Sequence, residues 1–170
     1  LSISGDGKRL LSRTSSAGEA ALYDLATGGK LKVFPVSQSE DPEHPFLQTL
    51  ALNDTGTLAA FADFDSAALN LVDTNTGAVR WTKPFHPLRM VFASHGQALA
   101  LIQHEDYDLK GLKLTDGSPA FRARLNAHPN SMAPSPDSAR LAIGLISGEV
   151  EVYHSNNGVR IERQRVASMP

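Results

Sequence analysis

The sequence contains no cysteine, so its histidines and carboxylates are the side chains with the most chemical potential. Three His-Pro pairs, His44-Pro45, His86-Pro87 and His128-Pro129, recur every 42 residues. A ring of imidazoles at such a spacing would be one route to a metal site, because histidine is the commonest transition-metal ligand. Ligands must converge within about 2 Å of one ion, however, and equivalent positions on successive repeats diverge. The plainer reading is that each histidine hydrogen-bonds locally while its proline stiffens the chain. No metal and no other cofactor is expected.

Carboxylates form a second group. Glu19, Glu40, Asp41, Glu43, Asp63, Asp65, Glu105, Asp106, Asp108 and Glu149 make up ten of the eighteen acids, and only Lys83 is expected to oppose them. Such a group either solubilises loops or steers a basic partner. The candidate binding residues within it are Glu40, Asp41, Glu43, Asp63, Asp65, Glu105, Asp106 and Asp108. Other motifs lead nowhere catalytic. His104-Glu-Asp-Tyr-Asp108 lacks the ligand spacing of a calcium loop and reads as a solvated turn. Ser12, Ser15 and Ser16 have no G-x-S-x-G frame. Gly28-Gly29 belongs to neither G-x-G-x-x-G nor a phosphate loop. The chain therefore reads as a non-enzyme.

Bulk composition narrows the partners. The 170 residues are 41% hydrophobic and 20% charged, with a formal net charge of −2. That balance gives no electrostatic reason to expect nucleic acid. No apolar run approaches the roughly 18 residues that would cross a bilayer, so no membrane insertion is expected. The start at Leu1 shows no charged leader, and the chain is read as an excised or processed segment. The lack of cysteine suits cytoplasm and periplasm equally.

The elements that position these residues repeat. Asp73-Thr-Asn-Thr-Gly77 matches Asp24-Leu-Ala-Thr-Gly28, with weaker copies ending at Gly117 and Gly158. A second turn precedes each by about twenty residues: Ser4-Gly-Asp-Gly7, Asn53-Asp-Thr-Gly56, Ala93-Ser-His-Gly96 and Ser135-Pro-Asp-Ser138. Together with the His-Pro pairs, these signals keep step at 40 to 50 residues, which is the period of β-propeller blades. Gly28, Gly56, Gly77, Gly96, Gly117 and Gly158 are thus turn residues, and His44, His86 and His128 mark crossings between units. Each unit divides into four short strands separated by turn chemistry, indicating all-β structure. In the second unit these cover residues 47–52, 57–62, 67–73 and 78–82; in the fourth, 131–134, 140–144, 149–154 and 159–165. A β-sandwich is the runner-up, but it would not explain turns that recur in phase. The units are expected at 1–46, 47–87, 88–129 and 130–170, in one propeller segment. Trp81, Phe85 and Phe121 are expected to pack between units.

Two stretches carry a family resemblance. Ser135-Pro-Asp-Ser-Ala-Arg-Leu-Ala-Ile-Gly144 resembles the S-P-D-G-x-x-L-A turn and second strand of WD40-like bacterial propeller repeats, with Ser138 at the usual glycine. Leu71-Val-Asp-Thr-Asn-Thr-Gly-Ala-Val-Arg-Trp81 is similar to the D-x-x-T-G-x-x-x-W stretch of quinoprotein-type propellers. There is no Trp-Asp dipeptide, and tryptophan occurs once. The resemblance implies that the first strand of each blade lies at a central channel and the fourth at the rim. It also implies a ring of seven or eight blades, so the remaining blades, or a second copy of the chain, are expected to complete these four. In WD40 propellers a crossing histidine often pairs with an aspartate of the turn between strands two and three. Asp63 or Asp65 and Asp106 or Asp108 occupy that turn here, whereas the fourth unit has Ser147-Gly148.

Half of the sixteen bases, Lys30, Lys32, Arg80, Arg122, Arg124, Arg160, Arg163 and Arg165, fall on the expected outer strands, where charge prevents edge-to-edge pairing. Residues 35–45 form an insertion relative to the other crossings. The leading functional expectation is a non-catalytic interaction module that presents loops to a protein or peptide. The alternatives are a fragment of a propeller enzyme, of quinoprotein dehydrogenase type or bearing a metal, and a propeller attached to a hydrolase.

Overall fold

Turn residues cut the chain into short strands whose alternation leaves one face apolar. The computed structural model describes residues 1–14, 18–36, 50–63, 67–93, 97–103 and 106–166. These contain four four-stranded sheets and no helix. The first sheet is β1 (Ser2–Ile3), β2 (Arg9–Thr14), β3 (Glu19–Asp24) and β4 (Lys30–Pro35). The second is β5 (Leu50–Leu52), β6 (Leu58–Asp63), β7 (Ala68–Asp73) and β8 (Val79–Pro84). The third is β9 (Pro87–Ala93), β10 (Ala98–Gln103), β11 (Leu109–Lys113) and β12 (Pro119–Ala123). The fourth is β13 (Pro129–Pro134), β14 (Arg140–Leu145), β15 (Glu149–His154) and β16 (Arg160–Arg165). Within each sheet the strands lie in sequence order. The chain divides into two compact units, Leu1–Leu88 and Arg89–Pro170.

The turns explain why the strands stop where they do. Asp73 Oδ1 accepts from the amides of Asn75 and Thr76, and the Gly77 amide donates to the Asp73 carbonyl at 2.7 Å. Gly77 sits at φ 83, where a Cβ would clash with its own backbone. Immediately after this turn the outer strand slips by one residue in every sheet. The shifts fall at Leu22/Tyr23, Leu71/Val72, Gly111/Leu112 and Val152/Tyr153. A bulge repeated at one position bends and twists each outer strand alike.

Burial follows the alternation. In the first unit Leu11, Ala20, Leu22 and Phe34 of one sheet pack against Leu52, Ala59, Phe61 and Val72 of the next. The rings of Phe34 and Phe61 lie 5.3 Å apart at 43°. In the second unit Ala93, Ala100, Ile102 and Leu109 pack against Leu141, Ile143, Leu145 and Tyr153. Phe121 packs there too, pressed against the bare backbones of Gly111 and Gly158, where any side chain would displace it. Lys32 occupies the counterpart place in the first unit, with Cε 3.0 Å from where a Gly77 Cβ would stand. Trp81, at the same bulge position of β8, is buried.

Candidate functional site

The turn between β10 and β11 carries Asp106 and Asp108 of the acidic group, and the crossing from β12 to β13 packs beside it. A left-handed residue closes the second turn of every sheet: Gly18 (φ 60), Ala67 (φ 53), Tyr107 (φ 56) and Gly148 (φ 76). Two sheets use glycine, and the third uses a tyrosine that this conformation disfavours by about 1 kcal/mol or more. Hydrogen bonds hold it there. Its amide donates to the Gln103 carbonyl at 3.0 Å, and the Asp108 amide donates to Asp106 Oδ1 at 3.0 Å.

The Tyr107 ring lies against His128 from the crossing, with centroids 4.3 Å apart and planes at 46°. His128 Nδ1 is 3.0 Å from the Pro129 carbonyl oxygen. A carbonyl can only accept, so in this bond Nδ1 carries the proton. The Ile146 amide donates to the His128 carbonyl at 2.9 Å, tying the crossing to the β14–β15 turn.

Beside this pair, Arg122 forks onto two carboxylates. Its Nε donates to Asp108, whose side chain is only 6% exposed, and its Nη2 donates to Asp106 at 3.0 Å. Lys110 Nζ donates to the same Asp106 oxygen at 3.0 Å. Burial opposes the charged form of Asp106, but the Asp108 amide, Lys110 and Arg122 outweigh it and hold the carboxyl below its usual range. The hydrogen bond to Asp108 raises Arg122. Across the face, Arg163 donates to Glu149 at 2.8 Å and lowers that carboxyl. The Arg122 side chain remains 63% exposed. Among the described residues, mixed charge therefore surrounds the aromatic pair.

The sequence-derived residues are distributed as follows. Asp106, Asp108 and His128 come together in the second unit. Asp106 and Asp108, two of the aspartates that the resemblance offered as histidine partners, pair with Arg122 and Lys110, and His128 meets Tyr107. His86 is half-buried at the crossing after β8, and Asp63 ends β6. Gly28, Gly56, Gly77, Gly117 and Gly158 all have φ between 68 and 83. Glu40, Asp41, Glu43, His44, Asp65, Glu105 and Gly96 lie outside the described residues. Among the described residues no three His, Asp or Glu side chains group in a way that could hold a metal ion, and no helix is long and apolar enough to cross a membrane. Sequence reasoning passed over Tyr107 and the Arg122 fork. The fork follows from register, in which Arg122 opposes Lys110 on the face of Asp108, and the bulge between Gly111 and Leu112 hides that register from the sequence.

No protein-family model matches the chain, and no curated protein matches its sequence. Solved structures do match. The β-propeller domain of Cps50 (Swd1) from Myceliophteria thermophila gives a TM-score of 0.74 at 15% identity, over 98% of this chain and 55% of that one. The chain is built of β-propeller blades. BamB from Moraxella catarrhalis gives 0.68 at 18% identity, over 96% of this chain and 48% of that one. Kuenenia stuttgartiensis hydrazine synthase gives 0.70 at 14% identity, over 98% and 48%. The four sheets are thus blades consistent with a WD40-like or quinoprotein-like repeat, and they span about half the length of these propeller proteins. One of the three is named as an enzyme, so the fold by itself assigns no activity.

Proposed function

We propose that the chain is a non-catalytic propeller module whose turn and crossing loops engage a protein or peptide partner. The observation that carries this reading is Tyr107, a large aromatic kept in a left-handed turn that glycine fills in two sister blades. Backbone strain that persists at one loop position marks it as a candidate for function. Its surroundings match what interfaces select: an exposed arginine on strand β12 beside a half-buried tyrosine and a histidine on loops that rigid sheets hold. The mixed charge suits a partner with both acidic and basic groups rather than a purely basic one.

Tyr107→Gly is the informative variant, because glycine relaxes the turn and keeps its backbone hydrogen bonds. Affinity for a captured partner falls about tenfold or more while the unfolding midpoint stays near that of the parent. Unchanged affinity in a folded Tyr107→Gly protein contradicts the reading. The likeness to hydrazine synthase supports the rival reading, a fragment of a propeller enzyme. Stoichiometric copper, calcium or iron in purified protein would favour that rival.

A further inference from the structure

The first unit contains a cleft that the turn-and-crossing face does not use. It lies between the first two blades, has a volume of about 270 Å³, and is lined by Arg9, Leu22, Leu31, Lys32, Thr74 and Asn75. Within each of these blades it belongs to the end of the strands carrying the Asp73–Gly77 type of turn, away from the turn that Ala67 closes.

Two positive charges converge there. Arg9 Nη1 donates to the Gly56 carbonyl at 2.9 Å and to Thr74 Oγ1 and Asn75 Oδ1 at 3.3 Å each. Thr74 Oγ1 donates to the same Gly56 carbonyl at 2.6 Å. Lys32 Nζ donates to the Asn75 carbonyl at 2.9 Å. All of these acceptors are neutral. Among the described residues no carboxylate pairs with either base, whereas Arg80, Arg122, Arg160 and Arg163 all do so. The carboxylates that feel the charge of Arg9, Asp6 and Asp24, are committed elsewhere. Asp6 accepts from Ser4 and the Lys8 amide, and Asp24 accepts from Thr27.

The cleft is also built to hold these side chains. Gly56 (φ 68) leaves the space filled by the Arg9 stem, and Gly77 (φ 83) leaves that filled by the end of Lys32. Anchoring through Nη1 leaves Arg9 Nε and Nη2 without a partner among the described residues, and this edge of a guanidinium matches the two oxygens of a carboxylate. Lys32 has two further N–H donors beyond its single bond. Leu22 is buried and Leu31 half-exposed, so an apolar wall stands beside the donors.

We infer that this cleft binds a carboxylate carried on a short aliphatic stem, with Arg9 as the bidentate donor and Lys32 as the second charge. The same chemistry comes from an acidic side chain of a partner peptide or from a free small dicarboxylate. The aliphatic stem lies along Leu22 and Leu31, and the oxygens face Arg9 Nε and Nη2.

The test is an amide NMR titration of the 170-residue chain with three probes: glutarate, a terminally blocked peptide with one glutamate, and inorganic phosphate. Saturable shifts at Gly56, Thr74, Asn75 and Gly77, with affinity of about 1 mM for glutarate or the peptide, are expected. Peptide binding tenfold tighter than glutarate identifies a polypeptide source, and the reverse identifies a free metabolite. Lys32→Gln, which removes one bond to a carbonyl, weakens binding about fivefold. Arg9→Gln abolishes it in a chain whose other amide resonances are unmoved. Shifts that rise linearly, that persist unchanged in Lys32→Gln, or that phosphate reproduces at equal affinity overturn the assignment.

Discussion

Ser138 and Tyr107 occupy left-handed backbone at φ 52 and φ 56, and the two positions have different explanations. Ser138 stands where Gly7 and Gly56 close the corresponding turns of the first two blades. Its bonds are all made by the backbone: its amide donates to Ser135 at 2.7 Å, and its carbonyl accepts from Ser155 Oγ at 2.7 Å. Ser138→Gly keeps both and removes the Cβ strain, so it raises stability by about 1 kcal/mol, read as a higher denaturant midpoint. A lower midpoint would mean that the hydroxyl contributes more than the strain removes. Glu151 presents the opposite case. It is fully buried, yet it accepts from Asn126, from Tyr153 Oη at 2.6 Å and from Arg160 Nη1 at 2.9 Å. Burial, and then this carboxylate, pushes the Tyr153 phenol far above its usual range. Glu151→Ala strands the buried Tyr153 hydroxyl, removes the bonds from Asn126 and Arg160, and costs about 3 kcal/mol in thermal or chemical unfolding. Near-zero cost would show that water replaces the carboxylate.

At the scale of the strand and turn, aspartates do much of the work. Asp6, Asp24, Asp116 and Asp137 are held below the ordinary carboxylate value chiefly by hydrogen bonds within their own turns, and Asp73 by Arg80 as well as its turn. Asp73 falls from 3.8 to about 2, with the Arg80 hydrogen bond as the largest cause and the Thr76 amide next. A depressed folded value stabilises above the unfolded value and is lost as pH falls through the folded one. The contribution of Asp73 to stability is therefore lost as pH falls from 3.8 to about 2, and Asp73→Asn flattens that part of the curve. An acid profile identical to the parent's contradicts this. The same elements show what the sequence could reveal. Turn positions were legible because Asp, Asn, Thr and Gly carry local chemistry, and their repetition in phase identified the blades. Strand ends moved by one or two residues, as with β13, which begins at Pro129 rather than residue 131. The bulges were not legible, since a slip after the turn leaves no mark in composition. Without them the pairing of Gly111 with Phe121, and of Arg122 with Lys110, cannot be read. Gly111→Ala drives a methyl group into Phe121, which also sits against Gly158, and costs about 2 kcal/mol with perturbed Phe121 resonances.

At the scale of the molecule, the third and fourth blades differ in how their sheet faces are covered. Ala100, Ile102 and Leu109 of the third blade are completely buried against the fourth. Their counterparts in the fourth blade, Ala142, Gly144 and Val150, are exposed or half-exposed, and Glu162 stands where Phe121 stands in the third. The account expects further blades or a second copy of the chain to cover this face, because a packed sheet face is otherwise left to water. Sedimentation of the isolated chain then gives a mass above 18.2 kDa, and a stable monomer at that mass contradicts the expectation. Partner binding is expected at the other surface, where Tyr107 and His128 meet. A photo-reactive phenylalanine at position 107, compared with one at position 116 on the β11–β12 turn, tests it most directly in cells that make the protein. The account predicts discrete protein adducts from position 107 and none of these from position 116. Identical adducts from both positions, or none from position 107, would contradict it.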